Sequence, residues 1–188
     1  MEDVFIYDDS KFYKNIKKYL NKNIVVHLLY EEDDIIDNSN IEKYPSIKDK
    51  IHMIHALNIK YIKLRYSYIY DVVCDYLDYE FKVRNVCGFE NDRCLSVRNN
   101  SHCPESCNGC CYGTNRGLCK NFIDGKCTIK SLSCKLFTCR YLKKQGIRYR
   151  INDIDLLKYF FNIKQKYILD TSIFKDKDEI IELLLKYK

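Results

Sequence analysis

The sequence predicts a mainly α-helical fold around an irregular, metal-held cysteine-rich core, with one or two short strands. Three observations predict it. Apolar residues recur at helical spacing in the N-terminal and C-terminal parts of the chain. Eight cysteines crowd between residues 103 and 139. All six glycines fall between residues 88 and 146, so regular elements there must be short.

At 188 residues the chain is expected to form one compact domain in three parts: a mostly helical part over 1–82, a basic cysteine-rich segment over 83–150, and two helices over 151–188. Charge follows the same division. Residues 1–81 carry 11 Lys/Arg against 15 Asp/Glu, residues 82–150 carry 14 against 4, and residues 151–188 carry 7 of each. The whole positive excess lies with the cysteines. A hydrophobic content of 46% allows a core without cross-links. No run approaches the ~18 apolar residues that span a bilayer, so no membrane is expected as a partner. The opening MEDVFIYDDS is acidic and does not resemble a secretory leader. A cytoplasmic setting follows as an expectation, and there thiols stay reduced and cysteine clusters serve metals. Ile, Lys, Asn and Tyr all have AT-rich codons, so the 17 tyrosines are discounted as a functional signal.

Taken in order, Ser10 is placed to cap a helix with Phe12, Ile16, Tyr19 and Leu20 on one face. IVVHLLY, Ile24 to Tyr30, is β-branched and short and reads as a buried strand that takes His27 into the core. EEDDIIDNSN reads as a solvated loop. After Pro45, residues Ile47, Ile51, Ile54 and Leu57 share a helical face. Ile62 to Tyr70 alternates like a strand, yet Ile69, Val72, Val73, Tyr76 and Leu77 fit a helix, which is preferred. Asn152 is placed to cap a helix through Leu156, Leu157, Phe160 and Phe161. Asp176 is placed to cap a last one through Ile180, Ile181 and Leu184. The segment between has few large apolar side chains and needs stabilisation from elsewhere, which a bound metal supplies.

The candidate ligands are Cys103, Cys107, Cys110, Cys111, Cys119, Cys127, Cys134 and Cys139. Of the three upstream cysteines, Cys74 in DVVCDYL reads as a small buried hydrophobe, whereas Cys87 and Cys94 are ambiguous. Zinc needs paired ligands two to four residues apart, which Cys107 with Cys110 and, more loosely, Cys134 with Cys139 provide. One zinc leaves four cysteines idle, and the adjacent Cys110 and Cys111 project in different directions. An iron–sulfur cluster, [4Fe–4S] in the first instance, tolerates irregular spacing because its corners lie several Å apart. Nearby glycines would turn backbone N–H groups toward sulfide, and Arg116, Lys120, Lys126, Lys130, Lys135 and Arg140 would offset the cluster's negative charge. Iron–sulfur is therefore preferred and zinc is the alternative. Cys103, Cys107 and Cys110 also share the spacing of radical S-adenosylmethionine enzymes. Gly109 stands where that family has an aromatic residue, and no strand–helix alternation follows.

The order CNGCC, LCKNFIDGKCTI, CKLFTCRYL resembles the YkgJ-type cysteine-cluster family of zinc- or iron-chelating proteins, itself similar to the cysteine-rich part of flagellin lysine N-methylases. Cys107, Cys110 and Cys111 match the family's Cys-x-x-Cys-Cys. Cys119 with Phe122, Asp124 and Gly125, and Cys127 with Ile129, match its next two blocks. The last ligand matches Cys139 in residue type and Cys134 in distance, and the family's Arg-Pro is absent. The resemblance covers about 40 residues. It implies metal binding and no particular reaction.

Other features have plainer readings. His52 and His55 share a helix face, and His102 adjoins Cys103. No phosphate loop, nucleophile elbow or catalytic carboxylate pair is present. The stretch KKQGIRYR, Lys143 to Arg150, with Tyr141, is a candidate grip for nucleic acid. The expected function is that of an iron–sulfur protein working with a redox or modification partner. The alternatives are a zinc-stabilised module that binds nucleic acid or an acidic protein, and a small methyl- or thiol-transfer enzyme.

Overall fold

The computed structural model describes residues 2–30, 34–36, 39, 41–88, 121–123 and 126–188. These residues are mainly helical, and their helices share one apolar core that draws on the N-terminal, middle and C-terminal parts of the chain.

The N-terminal part is mostly helical, but it opens on a three-stranded sheet of which only the second strand was expected. It runs β1 (Glu2–Tyr7), α1 (Phe12–Tyr19), β2 (Ile24–Tyr30) and β3 (Asp34–Ile36). β1 and β2 are parallel, with Glu2 opposite Ile24 and Tyr7 opposite Leu29. β3 is antiparallel to β2, with Leu28 opposite Ile36. Parallel neighbours need a crossover connection, and α1 supplies it. β2 is the strand the sequence predicts. β1 was masked by its acidic flanks, although Val-Phe-Ile-Tyr is a strand-forming run. Ile36, expected in a solvated loop, is fully buried beside Leu28. Tertiary pairing made that strand, not local propensity. His27 is half-buried on β2, stacked on Phe5 at 5.1 Å, with Nε2 2.9 Å from Asp3 Oδ1.

Helix α1 starts one residue later than Ser10 would place it. Lys11 holds the N-cap position without a side-chain cap, and Asp9 Oδ1 accepts the Lys11 N–H at 2.7 Å. A 3₁₀ turn at Pro45–Ile47 leads into α2 (Lys48–Asn58), which buries Ile51, Ile54 and Leu57 as its periodicity predicts. At its end the Asn58 amide accepts the Val26 N–H at 2.8 Å and donates to the Val26 carbonyl at 2.7 Å, tying α2 to the sheet. The ambiguous run resolves as one long helix, α3 (Ile62–Asp78), with Tyr66, Ile69, Tyr70, Val73, Cys74 and Leu77 buried. Arg65, only 4% exposed, donates Nε to the Ile59 carbonyl at 3.0 Å and Nη1 to Asn21 Oδ1 at 2.7 Å. Burial lowers its pKa.

After the middle segment come β4 (Phe122–Ile123) and β5 (Lys126–Cys127), which pair antiparallel, then α4 (Leu132–Leu136) and α5 (Arg140–Lys144). Five strands among the described residues exceed the one or two expected. The C-terminal part holds three helices, not two: α6 (Asp155–Phe160), α7 (Ile163–Thr171) and α8 (Lys177–Leu185). Asn152 lies in a 3₁₀ turn and accepts from Lys166 Nζ at 3.0 Å, so it caps nothing. Asn162 caps α7 instead, in a capping box with Gln165. Asp176 caps α8 as predicted, with Glu179 closing the box. α8 packs on α3, and α7 packs on α4 and α8.

The two cap assignments predict opposite mutational outcomes. Asp176→Ala should lower stability by about 1 kcal/mol, whereas Ser10→Ala should stay within about 0.5 kcal/mol. Urea titration checks both, as a shifted midpoint at constant slope for the first and no shift for the second.

Candidate metal centre

Of the eight candidate ligands, Cys103, Cys107, Cys110, Cys111 and Cys119 lie outside the described residues, as do Cys94 and His102. Cys127 is described by its backbone, which pairs with Phe122 in the β4–β5 hairpin. Cys134 and Cys139 are described in full. What the structure supplies is the frame at the two ends of the cysteine segment.

The C-terminal frame is set by Tyr70. Its hydroxyl donates to the Lys130 carbonyl at 2.9 Å and accepts the Leu132 N–H at 2.8 Å. One buried side chain thus satisfies two backbone groups that flank Ser131. Lys130 has φ 45°, a left-handed turn that points the chain into α4. Cys74, one helical turn beyond Tyr70, directs its thiol to the same carbonyl at 3.6 Å. Burial pushes that thiol up to about 12, so it stays protonated and packs as the sequence predicts.

The N-terminal frame begins where α3 widens into a π turn at Tyr79–Val83. Glu80, 6% exposed, accepts two hydrogen bonds from Arg84 Nη1, at 2.8 and 3.0 Å, and one from the Tyr149 hydroxyl at 3.0 Å. Burial and this carboxylate raise the Tyr149 pKa, and its ring packs 5.3 Å from Phe81. Asp78, on the last turn of α3, ion-pairs with Lys135 of α4. Lys135 was expected to balance cluster charge; its partner is this carboxylate. Both ends of the cysteine segment are therefore fastened to the C-terminal half of α3.

Within this frame Cys134 is half-buried on α4, and its sulfur accepts the Phe174 N–H at 3.3 Å. Backbone N–H donors of this kind stabilise negative charge on a thiolate. Cys139 is half-buried at the start of α5. Cys87 is half-buried in the turn after the π segment, where Asn85 and Gly88 both have positive φ. Among the described residues no group of three or more His, Cys, Asp or Glu side chains is arranged to hold a metal ion. Of the predicted ligands only Cys134 and Cys139 are described with their side chains.

No family model, curated protein or solved structure matches the chain. The cysteine-cluster resemblance rests on its own residues.

His52 and His55 have a partner other than a metal. His52 Nδ1 lies 2.6 Å from the Tyr68 hydroxyl, and the His55 ring centroid is 4.5 Å from the Tyr68 ring. Burial lowers the pKa of both below 6.5. Sequence reasoning passed over Tyr70 and Glu80. Tyr70 was discounted with the other tyrosines, and Glu80 needs the fold to bring Tyr149 to it across 69 residues.

Two outcomes follow. Tyr70→Phe keeps the ring but leaves the Lys130 carbonyl and Leu132 N–H without their partner, so it should cost about 1–3 kcal/mol by denaturant titration. The histidines are depressed in the folded state, so the unfolded chain takes up protons first as pH falls. Stability should therefore decline below about pH 6.5, until the folded-state pKa values are reached. The double variant His52→Gln, His55→Gln should flatten that part of a stability–pH profile.

Proposed function

We propose that the protein carries a metal cluster on its 103–139 cysteines, with [4Fe–4S] as the first choice, and acts in electron transfer or in support of a modification enzyme. The observation that carries this reading is the distribution of cysteines. The apolar core takes Cys74 alone among the described cysteines, while eight others crowd into 37 residues. Cysteines kept for packing would be spread through the core. The Cys107, Cys110, Cys111 triple, with Cys119 and Cys127 downstream, suits a cluster whose corners need thiolates at irregular intervals. The half-buried Cys134, with its N–H donor, and Cys139 extend the ligand set. When bound, such a cluster takes up and releases single electrons. The chain's part is to hold it, tune it through N–H donors and offset its charge.

This reading places the protein in the cytoplasm, where its thiols stay reduced, and gives it a redox or modification partner protein. Among the described residues no helix is long and apolar enough to cross a membrane. Zinc in place of the cluster makes the protein a metal-stabilised binding module. The third reading, a small methyl- or thiol-transfer enzyme, lacks a nameable nucleophile or base.

Anaerobic purification tests the choice directly. Brown protein that absorbs at about 400 nm, with iron and acid-labile sulfide, supports the cluster. Colourless protein containing zinc and no sulfide overturns it. Cys107→Ser or Cys110→Ser should strip most of the metal, whereas Cys74→Ser should leave it bound and cost only packing stability. Removing the metal should also abolish amide-exchange protection across 103–127, while α4, held by Tyr70 and the core, keeps its own.

A further inference from the structure

We propose that the stretch after the last candidate ligand, from Arg140 to Arg150, is a docking surface for single-stranded nucleic acid. Between Asp124 and Asp153 the sequence has no acidic residue and eight Lys/Arg. Lys135 is committed to Asp78. Lys130, Arg140, Lys143, Lys144, Arg148 and Arg150 are all exposed, and none forms an ion pair with a described residue. The neighbouring carboxylate of Glu80 is buried and turned inward to Arg84 and Tyr149, so it does not neutralise this face.

The backbone gathers five of these cations into one small unit. On α5, Arg140, Lys143 and Lys144 stand three and four residues apart, while Leu142 is buried. Gly146, at φ 78°, reverses the chain. The Ile147 N–H returns to the Leu142 carbonyl at 3.0 Å, and the Tyr149 N–H reaches Thr138 Oγ1 at 3.2 Å. From there Ile147 and Tyr149 are partly buried, and Arg148 and Arg150 alternate with them at the exposed positions. Cations so placed are about 5–6 Å apart on the helix and about 7 Å apart on the extended limb. Both distances are close to the step between successive phosphates of an extended strand. Tyr141, half-buried beside Arg140, offers a ring on which a base can stack.

The unit fits a single strand better than other polyanions. α5 spans five residues, too short to read a duplex groove. Its exposed side chains include no large apolar group for a membrane surface. An acidic peptide would use the charges but not the tyrosine. This surface lies outside the proposed ligand set except for its start at Cys139, and it does not depend on which metal is bound.

The test is fluorescence anisotropy of mixed-sequence single-stranded RNA and DNA, with the duplex, poly-glutamate and phosphatidylserine vesicles as comparators, using the full chain. Affinity for the single strands should fall with salt by about 0.7 log unit per tenfold salt for each phosphate contacted. Replacing Lys143, Lys144, Arg148 and Arg150 with Ala should reduce that slope by about 2.8 if each makes one contact. Metal content and the circular dichroism spectrum should not change, which separates this outcome from failure of the cluster reading. The charge-preserving variant K143R, K144R, R148K, R150K should retain binding, and Tyr141→Ala should weaken it without altering the slope. The proposal is overturned if no single strand binds at low salt, or if the four alanines leave the slope intact. Equal or tighter binding of the duplex, poly-glutamate or the vesicles also overturns it.

Discussion

The Tyr70 hydroxyl is the joint on which the arrangement depends. It sits inside the core on α3, yet it bonds the backbone on either side of Ser131, where the chain enters α4. A carbonyl and an N–H turned toward the core each need a partner, and the Tyr70 hydroxyl serves both. The joint steadies the left-handed Lys130 at the point where the chain turns into α4, which buries Leu132 and Leu136 in the core. The Glu80 network repeats the principle at the other end. A buried carboxylate is tolerable because three donated hydrogen bonds compensate its loss of water. Together the two tie the chain around Lys130 and around Tyr149 to α3 and the π turn that follows it.

Much of the helical framework was legible in the sequence. Ile51, Ile54 and Leu57 on α2, and Ile180, Ile181 and Leu184 on α8, are buried where their spacing puts them. Asp176 caps where a capping residue followed by Glu three positions later should cap. The same pattern, Asn162 to Gln165, was present and unused, because Phe160 and Phe161 made the helix before it look longer than it is. β1 and β3 were lost for a different reason. Each is stabilised by pairing with β2, an interaction between distant residues that no local window contains.

The candidate site divides in the same way. Its residue types were readable, since thiol spacing is a chemical signal carried by the sequence itself. Its supports were not. Tyr70 lies 60 residues before Lys130, and Glu80 lies 69 before Tyr149. Nor could charge alone indicate where the positive excess would point. Lys135 is drawn inward to Asp78, while Lys143, Lys144, Arg148 and Arg150 remain in solvent. Lysines of the same segment therefore carry different tasks, one in packing and others at the surface.

That both ends of the cysteine segment are fastened to one helix bears on how the protein can change over time. Closing a chain between two fixed points costs entropy that grows only with the logarithm of its length, about 0.6 kcal/mol for each doubling. The stretch between Arg84 and Lys130 can therefore gain or lose residues with little penalty to the framework, provided Tyr70 and Glu80 keep their partners. Selection on the cysteines and selection on the scaffold become nearly separate problems. The span between the two attachments is free to diversify, while the helices at its ends stay as they are.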